Sequence, residues 1–151
     1  MKEDIKEILS AFFVQVEKSD HRTGHYPSFY SGLKIKVGFG IGRTAKIPWI
    51  TFLGKGQTPQ DGIFPVYYFF KENHKLILAY GISETNIPKK KWNVSQNTKT
   101  VEKYFESLRI SPHKYHSSYV YEVYDTYEDL DWNKIESDLD SLIEKYKPLV
   151  S

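Results

Sequence analysis

Apolar residues near the start of the chain fall at Ile5, Ile8, Leu9, Phe12, Phe13 and Val16. That spacing gathers them on one stripe and predicts an amphipathic helix over residues 3–18. A turn region rich in His, Gly, Pro and Ser follows over 20–32, and then the period changes. Leu33, Ile35, Val37 and Phe39 alternate with Lys34, Lys36 and Gly38, the pattern of a half-buried strand whose other face is basic. Glycines 38, 40 and 42 interrupt it. A second strand is expected from Ile47 to Leu53, where Pro48 suits a strand start or an edge. Ile63 to Phe70 is apolar on both faces and reads as a central strand, with Leu76 to Ile82 paired beside it across a turn near Asn73. Thr98 to Leu108 reads as a short helix and Ser118 to Tyr127 as a Tyr- and Val-rich strand. Asp131 to Val150 reads as a second amphipathic helix, with Trp132, Ile135, Leu139, Leu142, Ile143 and Tyr146 on its stripe. Strands in the middle and helices at both ends predict an α+β domain: a mainly antiparallel, twisted sheet packed by N- and C-terminal amphipathic helices. The pattern leaves the strand order open.

With 151 residues, 40% of them hydrophobic, the chain has the size and apolar content of one globular domain, read here as residues 1–151. The absence of cysteine excludes a disulfide framework, a Cys-ligated zinc and a thiol nucleophile. No window reaches the roughly 18 apolar residues of a membrane span and no export signal is visible, so no membrane partner is expected and a cytoplasmic location is.

Charge changes the picture more than composition does. The formal net charge of +2 argues at first sight against a nucleic-acid partner. Yet residues 21–60 carry six basic side chains (Arg22, Lys34, Lys36, Arg43, Lys46, Lys55) and no acidic one, and residues 86–118 carry a net +5. Residues 119–151, with a net −6, mask them. A surface that faces phosphate needs such a carboxylate-free stretch, because a carboxylate would repel the backbone it should approach. Solvated surface is the competing explanation for charge blocks.

The run from Gly38 to Lys46 invites a phosphate-loop reading but fails the specific patterns, since an Ile-Pro-Trp strand follows where a helix is required. A plain glycine-rich hairpin and a loop presenting Ile41 and Arg43 to a ligand both remain; glycines flanking one exposed apolar residue suit a wedge between base steps. The pairs His113/His116 and His21/His25 have helical metal spacing. Pro112 argues against a helix there, and no carboxylate cluster completes a shell. No Gly-x-Ser-x-Gly elbow appears. Aromatic residues lie within or beside the basic segments, among them Trp49, Phe64, Tyr68, Trp92 and Tyr115. Most should be core, but with lysines and glycines they also fit a pocket that stacks a base. The strand period puts Phe64, Val66, Tyr68 and Phe70 on one face, which Trp49 on a neighbouring strand could share.

Four stretches carry a family resemblance: Leu33 to Gly42 (LKIKVGFGIG), Ile47 to Gln57 (IPWITFLGKGQ), Gly62 to Val66 (GIFPV) and Leu78 to Asn86 (LAYGISETN). In this order they resemble the N-terminal DNA-recognition domain of McrB, the specificity and GTPase subunit of modification-dependent (type IV) restriction endonucleases. The resemblance covers nearly the whole chain and loosens after Trp92. It implies a domain without catalytic activity that binds double-stranded methylated DNA and rotates a modified cytosine into an aromatic pocket. The base would be 5-methylcytosine, with 5-hydroxymethylcytosine or N4-methylcytosine as options. Trp49 and Tyr115 fall on the family's pocket tryptophan and stacking tyrosine. Phe64 stands where the family has a tyrosine, Tyr68 where it has a smaller aliphatic residue, and Ile41, between Gly40 and Gly42, at the wedge position. Lys34, Lys36, Arg43, Lys46, Lys89, Lys90 and Lys91 are the expected phosphate contacts. The resemblance further implies that a GTPase motor using GTP and Mg follows in the full-length protein, with self-oligomerisation and a separate nuclease subunit, while this domain needs no cofactor. Competing readings are a reader of N6-methyladenine, an enzyme acting on a flipped base, and a protein-interaction module whose aromatics are all core.

Overall fold

A computed structural model describes residues 4–18, 22–39, 47–109 and 117–151. Its elements run α1 (Ile5–Val16), β1 (Phe29–Tyr30), β2 (Leu33–Gly38), β3 (Trp49–Leu53), β4 (Ile63–Phe70), β5 (Lys75–Ile82), α2 (Val101–Ser107), β6 (Tyr119–Asp125) and α3 (Trp132–Val150). The six strands form one sheet in chain order, each antiparallel to its neighbours. This is the α+β architecture that the pattern of the sequence predicts. Among the described residues no helix is long and apolar enough to cross a membrane.

Each helix starts where a side chain satisfies the free backbone N–H groups of its first turn. Asp4 accepts from the Lys6 N–H at 2.9 Å, Thr100 from Lys103 at 3.2 Å and Asp131 from Lys134 at 3.2 Å. The apolar stripes of α1 and α3 then bury on the same face of the sheet. Phe12 of α1 packs against Phe39 and Phe69, with ring centroids 5.6 and 6.4 Å apart. Phe52 meets Tyr30 and Tyr67 edge-on beneath α3. Among the described residues the other face is covered only in part: α2 places Phe105 over Phe70, with centroids 4.6 Å apart. β4 is buried at all eight positions, consistent with its central place.

A buried hydroxyl of the C-terminal helix ties it to two strands of the sheet. Tyr146 donates to the Ile63 carbonyl at 2.7 Å and accepts from the Gly54 N–H at 2.9 Å, linking the end of β3 to the start of β4. Burial pushes its phenol up to about 12. Two acidic residues of α3 also bond to tyrosines of the sheet. Asp138 accepts from the Tyr124 hydroxyl at 2.7 Å and Asp140 from that of Tyr30 at 3.1 Å. Burial, and then the bond to Asp138, drives the Tyr124 phenol far above its ordinary value.

Departures from the sequence pattern are local: α2 starts at Val101 and not at Thr98, because Thr100 caps it. β1 is only two residues long, too short for any period to show, and is turned back by Ser31 and Gly32 at φ of 53° and 82°. Two successive positive φ values suit the right-handed twist of a tight hairpin. β3 begins at Trp49 and not at Ile47, because Pro48 has no N–H to give the ladder; its carbonyl still accepts from Phe69 at 3.0 Å. β5 and β6 change register between Leu78 and Ala79, a bulge that no composition signal marks.

Two tyrosines of this core should respond oppositely to loss of the hydroxyl. Tyr146→Phe strands a buried N–H and a buried carbonyl, and should cost about 1–3 kcal/mol. The buried Tyr67 hydroxyl has no hydrogen-bond partner among the described residues. Tyr67→Phe should therefore be neutral or stabilising by up to about 1 kcal/mol. Urea unfolding of both variants checks the pair; equal losses would contradict the assignment.

Candidate functional site

On the sheet face left open by the helices lies a cleft of about 490 Å³, lined by Trp49, Thr51, Pro59, Gln60, Phe64, Tyr68, Ile82, Ser83, Glu84 and Thr85. That volume falls within the range of small-ligand clefts. The ladder explains the grouping. Trp49 pairs with Tyr68, Thr51 with Val66, and Phe64 with Gly81, so these side chains share one face across three strands. On β2 the same face continues through Lys34, Lys36 and Gly38, opposite Leu53, Thr51 and Trp49. Both lysines are exposed. The basic side of the alternating strand and the cleft therefore share a surface.

Two glycines make room for the rings. A Cβ built on Gly38 would lie 2.2 Å from Cε2 and Cζ2 of Trp49, so the indole rests against the bare backbone of the neighbouring strand. On the far side, a Cβ on Gly81 would lie 2.6 Å from Cδ1 of Phe64 and 2.5 Å from its carbonyl oxygen. Any side chain at either position would displace a ring that lines the cleft.

The floor is tightly packed and anchored. Phe64 is 3% exposed and Tyr68 is 2% exposed, whereas Trp49 is half-buried. The Tyr68 hydroxyl lies 3.1 Å from Oγ of the fully buried Ser118, which also accepts from the Ile82 N–H at 3.0 Å. Thr51 turns its hydroxyl to the Lys36 carbonyl at 3.2 Å. The rim is polar and cross-braced: Ser83 Oγ accepts from the Gly62 N–H at 3.0 Å and donates to the Asn86 carbonyl at 2.7 Å. Asn86 donates from its backbone N–H and from Nδ2 to the Gln60 carbonyl, at 3.1 and 3.3 Å.

Of the residues singled out in the sequence, Trp49, Phe64 and Tyr68 come together in this cleft, and Lys34 and Lys36 flank it. Lys89, Lys90 and Lys91 are exposed, in the segment between Asn86, held to Gln60, and Trp92, whose Nε1 donates to the Gly81 carbonyl at 2.9 Å. Gly40, Ile41, Gly42, Arg43, Lys46 and Tyr115 lie outside the described residues, as do His21, His113 and His116. Sequence reasoning missed Thr51, Gln60, Ser83, Glu84 and Thr85 as lining residues; the polar run SETN directly after an apolar strand is the signal that could have drawn attention to the last three. Among the described residues no group of three His, Asp or Glu side chains converges to hold a metal ion. Chemically, the arrangement offers aromatic rings in a trough, hydrogen-bonding groups at one rim and lysines beside it, which suits a planar, polar-edged group attached to an anionic backbone.

Gly38→Ala should displace the indole, cost about 1–3 kcal/mol of stability, and move the Trp49 Nε1–H resonance while leaving those of Trp92 and Trp132 in place. An unmoved Trp49 resonance would show that the ring does not rest on Gly38.

The family described as "MrcB-like, N-terminal domain" matches residues 16–151 of the chain. Over 148 residues the chain is 36% identical to the type IV methyl-directed restriction enzyme EcoKMcrB subunit of Escherichia coli (strain K12), a match covering 96% of this chain and 32% of that protein. The chain thus spans about a third of the length of the curated relative it matches.

Proposed function

The chain belongs to the MrcB-like N-terminal domain family, and from that membership we propose that it is a DNA-recognition module that directs a restriction system to modified DNA by accepting a flipped methylated cytosine in the cleft of Trp49, Phe64 and Tyr68. The observation that supports this most is the sharing of one sheet face by an aromatic trough and the exposed lysines of β2. In the proposed complex Lys34, Lys36 and the run Lys89 to Lys91 neutralise phosphates, with Arg43 and Lys46 added from the charge pattern of the sequence. Ile41, between its two glycines, fills the gap left in the stack, and Tyr115 stacks on the extruded base.

The magnitudes are compatible with that division of labour. Extruding a base costs a few kcal/mol, and stacking on an aromatic platform returns about 1–3 kcal/mol. Trp49 suits the platform because its indole is held against Gly38 and remains partly exposed to the cleft. Lysine contacts supply most of the remaining affinity and none of the base preference. A methyl group adds roughly 0.8 kcal/mol when buried, so discrimination between cytosine and 5-methylcytosine is modest on contact alone. The polar rim of Gln60, Ser83, Glu84 and Thr85 offers acceptors and donors to the edge of the base. The domain has no catalytic step in this reading. Nucleotide hydrolysis with GTP and Mg, self-assembly and DNA cleavage by a nuclease subunit belong to the remainder of a larger prokaryotic, cytoplasmic system.

Trp49→Ala and Tyr115→Ala should each weaken binding to the methylated duplex by about 5- to 100-fold and abolish the preference for it, while circular dichroism stays unchanged. Gel-shift competition with duplexes carrying cytosine, 5-methylcytosine, 5-hydroxymethylcytosine, N4-methylcytosine and N6-methyladenine checks this, and a folded Trp49→Ala protein with full preference would remove the pocket assignment. Lys34→Ala and Lys36→Ala should instead weaken binding to all duplexes alike and lower the slope of log affinity against log salt by about one each. A loss confined to methylated DNA would count against their role at phosphate.

A further inference from the structure

Ile87 is 93% exposed, more than any other large hydrophobic side chain described. A single exposed isoleucine is ordinary on a protein surface, but this one has an unusual mount. The residue before it, Asn86, is tied to Gln60 through two donors and to Ser83 through its carbonyl. Ser83 is in turn held to Gly62 through both its hydroxyl and its backbone N–H. The residue after it is Pro88, whose ring fixes the local backbone. Gln60 and Ser83 are themselves part of the cleft rim. Ile87 is thus presented beside the cleft on a braced turn, followed at once by Lys89, Lys90 and Lys91, in a stretch from Thr85 to Val101 that contains no acidic residue.

We propose that Ile87 is a second apolar contact to the DNA duplex, packing on the sugar and base edge of the nucleotides that flank the extruded base while the adjacent lysines hold their phosphates. The inference rests on the duplex-binding reading above and adds a positioning residue that the aromatic pocket does not include. The occupant follows from the neighbours: three consecutive lysines select a polyanion, and continuity with the cleft rim places it beside the base-accepting trough. A rigid mount matters because an apolar tip on a loose loop would have to be ordered on binding, and the ordering would offset the gain.

The test compares wild type, Ile87→Ser and Ile87→Leu on one duplex carrying a single 5-methylcytosine and on its unmodified counterpart, each over a series of salt concentrations. Ile87→Ser should bind both duplexes about tenfold more weakly, equivalent to about 1.4 kcal/mol, with the methylation preference kept and the salt slope unchanged. Ile87→Leu should stay within about twofold of wild type. Thermal melting should match for all three, since the side chain is solvent-facing. Ile87→Ser binding within twofold of wild type overturns the proposal, as does a loss accompanied by a lower salt slope or a Leu variant as weak as the Ser variant. A wild-type protein that binds both duplexes equally removes the modified-base reading while leaving the Ile87 loss to be seen or not. Wild-type preference with an unaffected Ile87→Ser removes the present proposal alone, and no wild-type binding to either duplex removes both.

Discussion

The hydroxyl of Tyr146 fixes the register on which the rest of the open face depends. It joins the Gly54 N–H, just beyond β3, to the Ile63 carbonyl at the start of β4. Strands slip in units of one residue, and a single slip inverts every side chain relative to the sheet. Were β3 displaced by one position, Trp49 would turn into the helix-covered core and Ile50 would face the cleft. The connection between the two strands carries three glycines, Gly54, Gly56 and Gly62. A helix from the other end of the chain therefore holds the alignment that brings Trp49 opposite Tyr68.

From that alignment follow two faces of opposite character. One is closed by α1 and α3 and contains the tyrosine hydroxyls that engage Asp138 and Asp140. The other is capped at one end by Phe105 and, among the described residues, leaves a trough flanked by lysines. Charge divides in the same way. The acidic residues of α3 belong to the helix on the closed face, and Lys34 and Lys36 point from the open one. The near-neutral total of +2 is the sum of two surfaces that a partner would meet separately, and a phosphate backbone approaching the trough is not opposed by the helix behind it.

The sequence carried most of this fold because its periods were clean. β4 shows an unbroken apolar run and is central; β2 alternates Lys with branched apolar residues and is half-exposed. α3 spans Trp132–Val150, within a residue of its predicted start, because Asp131 is both an N-cap residue and the last residue before the stripe. What escaped were features without a period: the two-residue β1, the bulge at Leu78, and the placement of α2 on the face opposite the other helices. The site was legible to the extent that it was aromatic. Trp49, Phe64 and Tyr68 could be placed on one face by counting in twos, but strand order was needed to bring Ser83 and Gln60 to the same rim, and strand order is a property of pairing that no single strand encodes. The anchoring of Tyr68 by Ser118, fifty residues away in sequence, is of the same kind.

The two glycines beneath Trp49 and Phe64 alter how this surface should be compared with others. A binding face is usually described by the side chains it displays, and a survey on that basis would record nothing at positions 38 and 81. Here the empty positions set how deep the rings can lie, and so the thickness of whatever can be stacked on them. Two domains with identical pocket aromatics but different residues at these sites would present troughs of different depth to the same ligand. The shape of the site is written partly in backbone, where truncation by alanine scanning has nothing to remove.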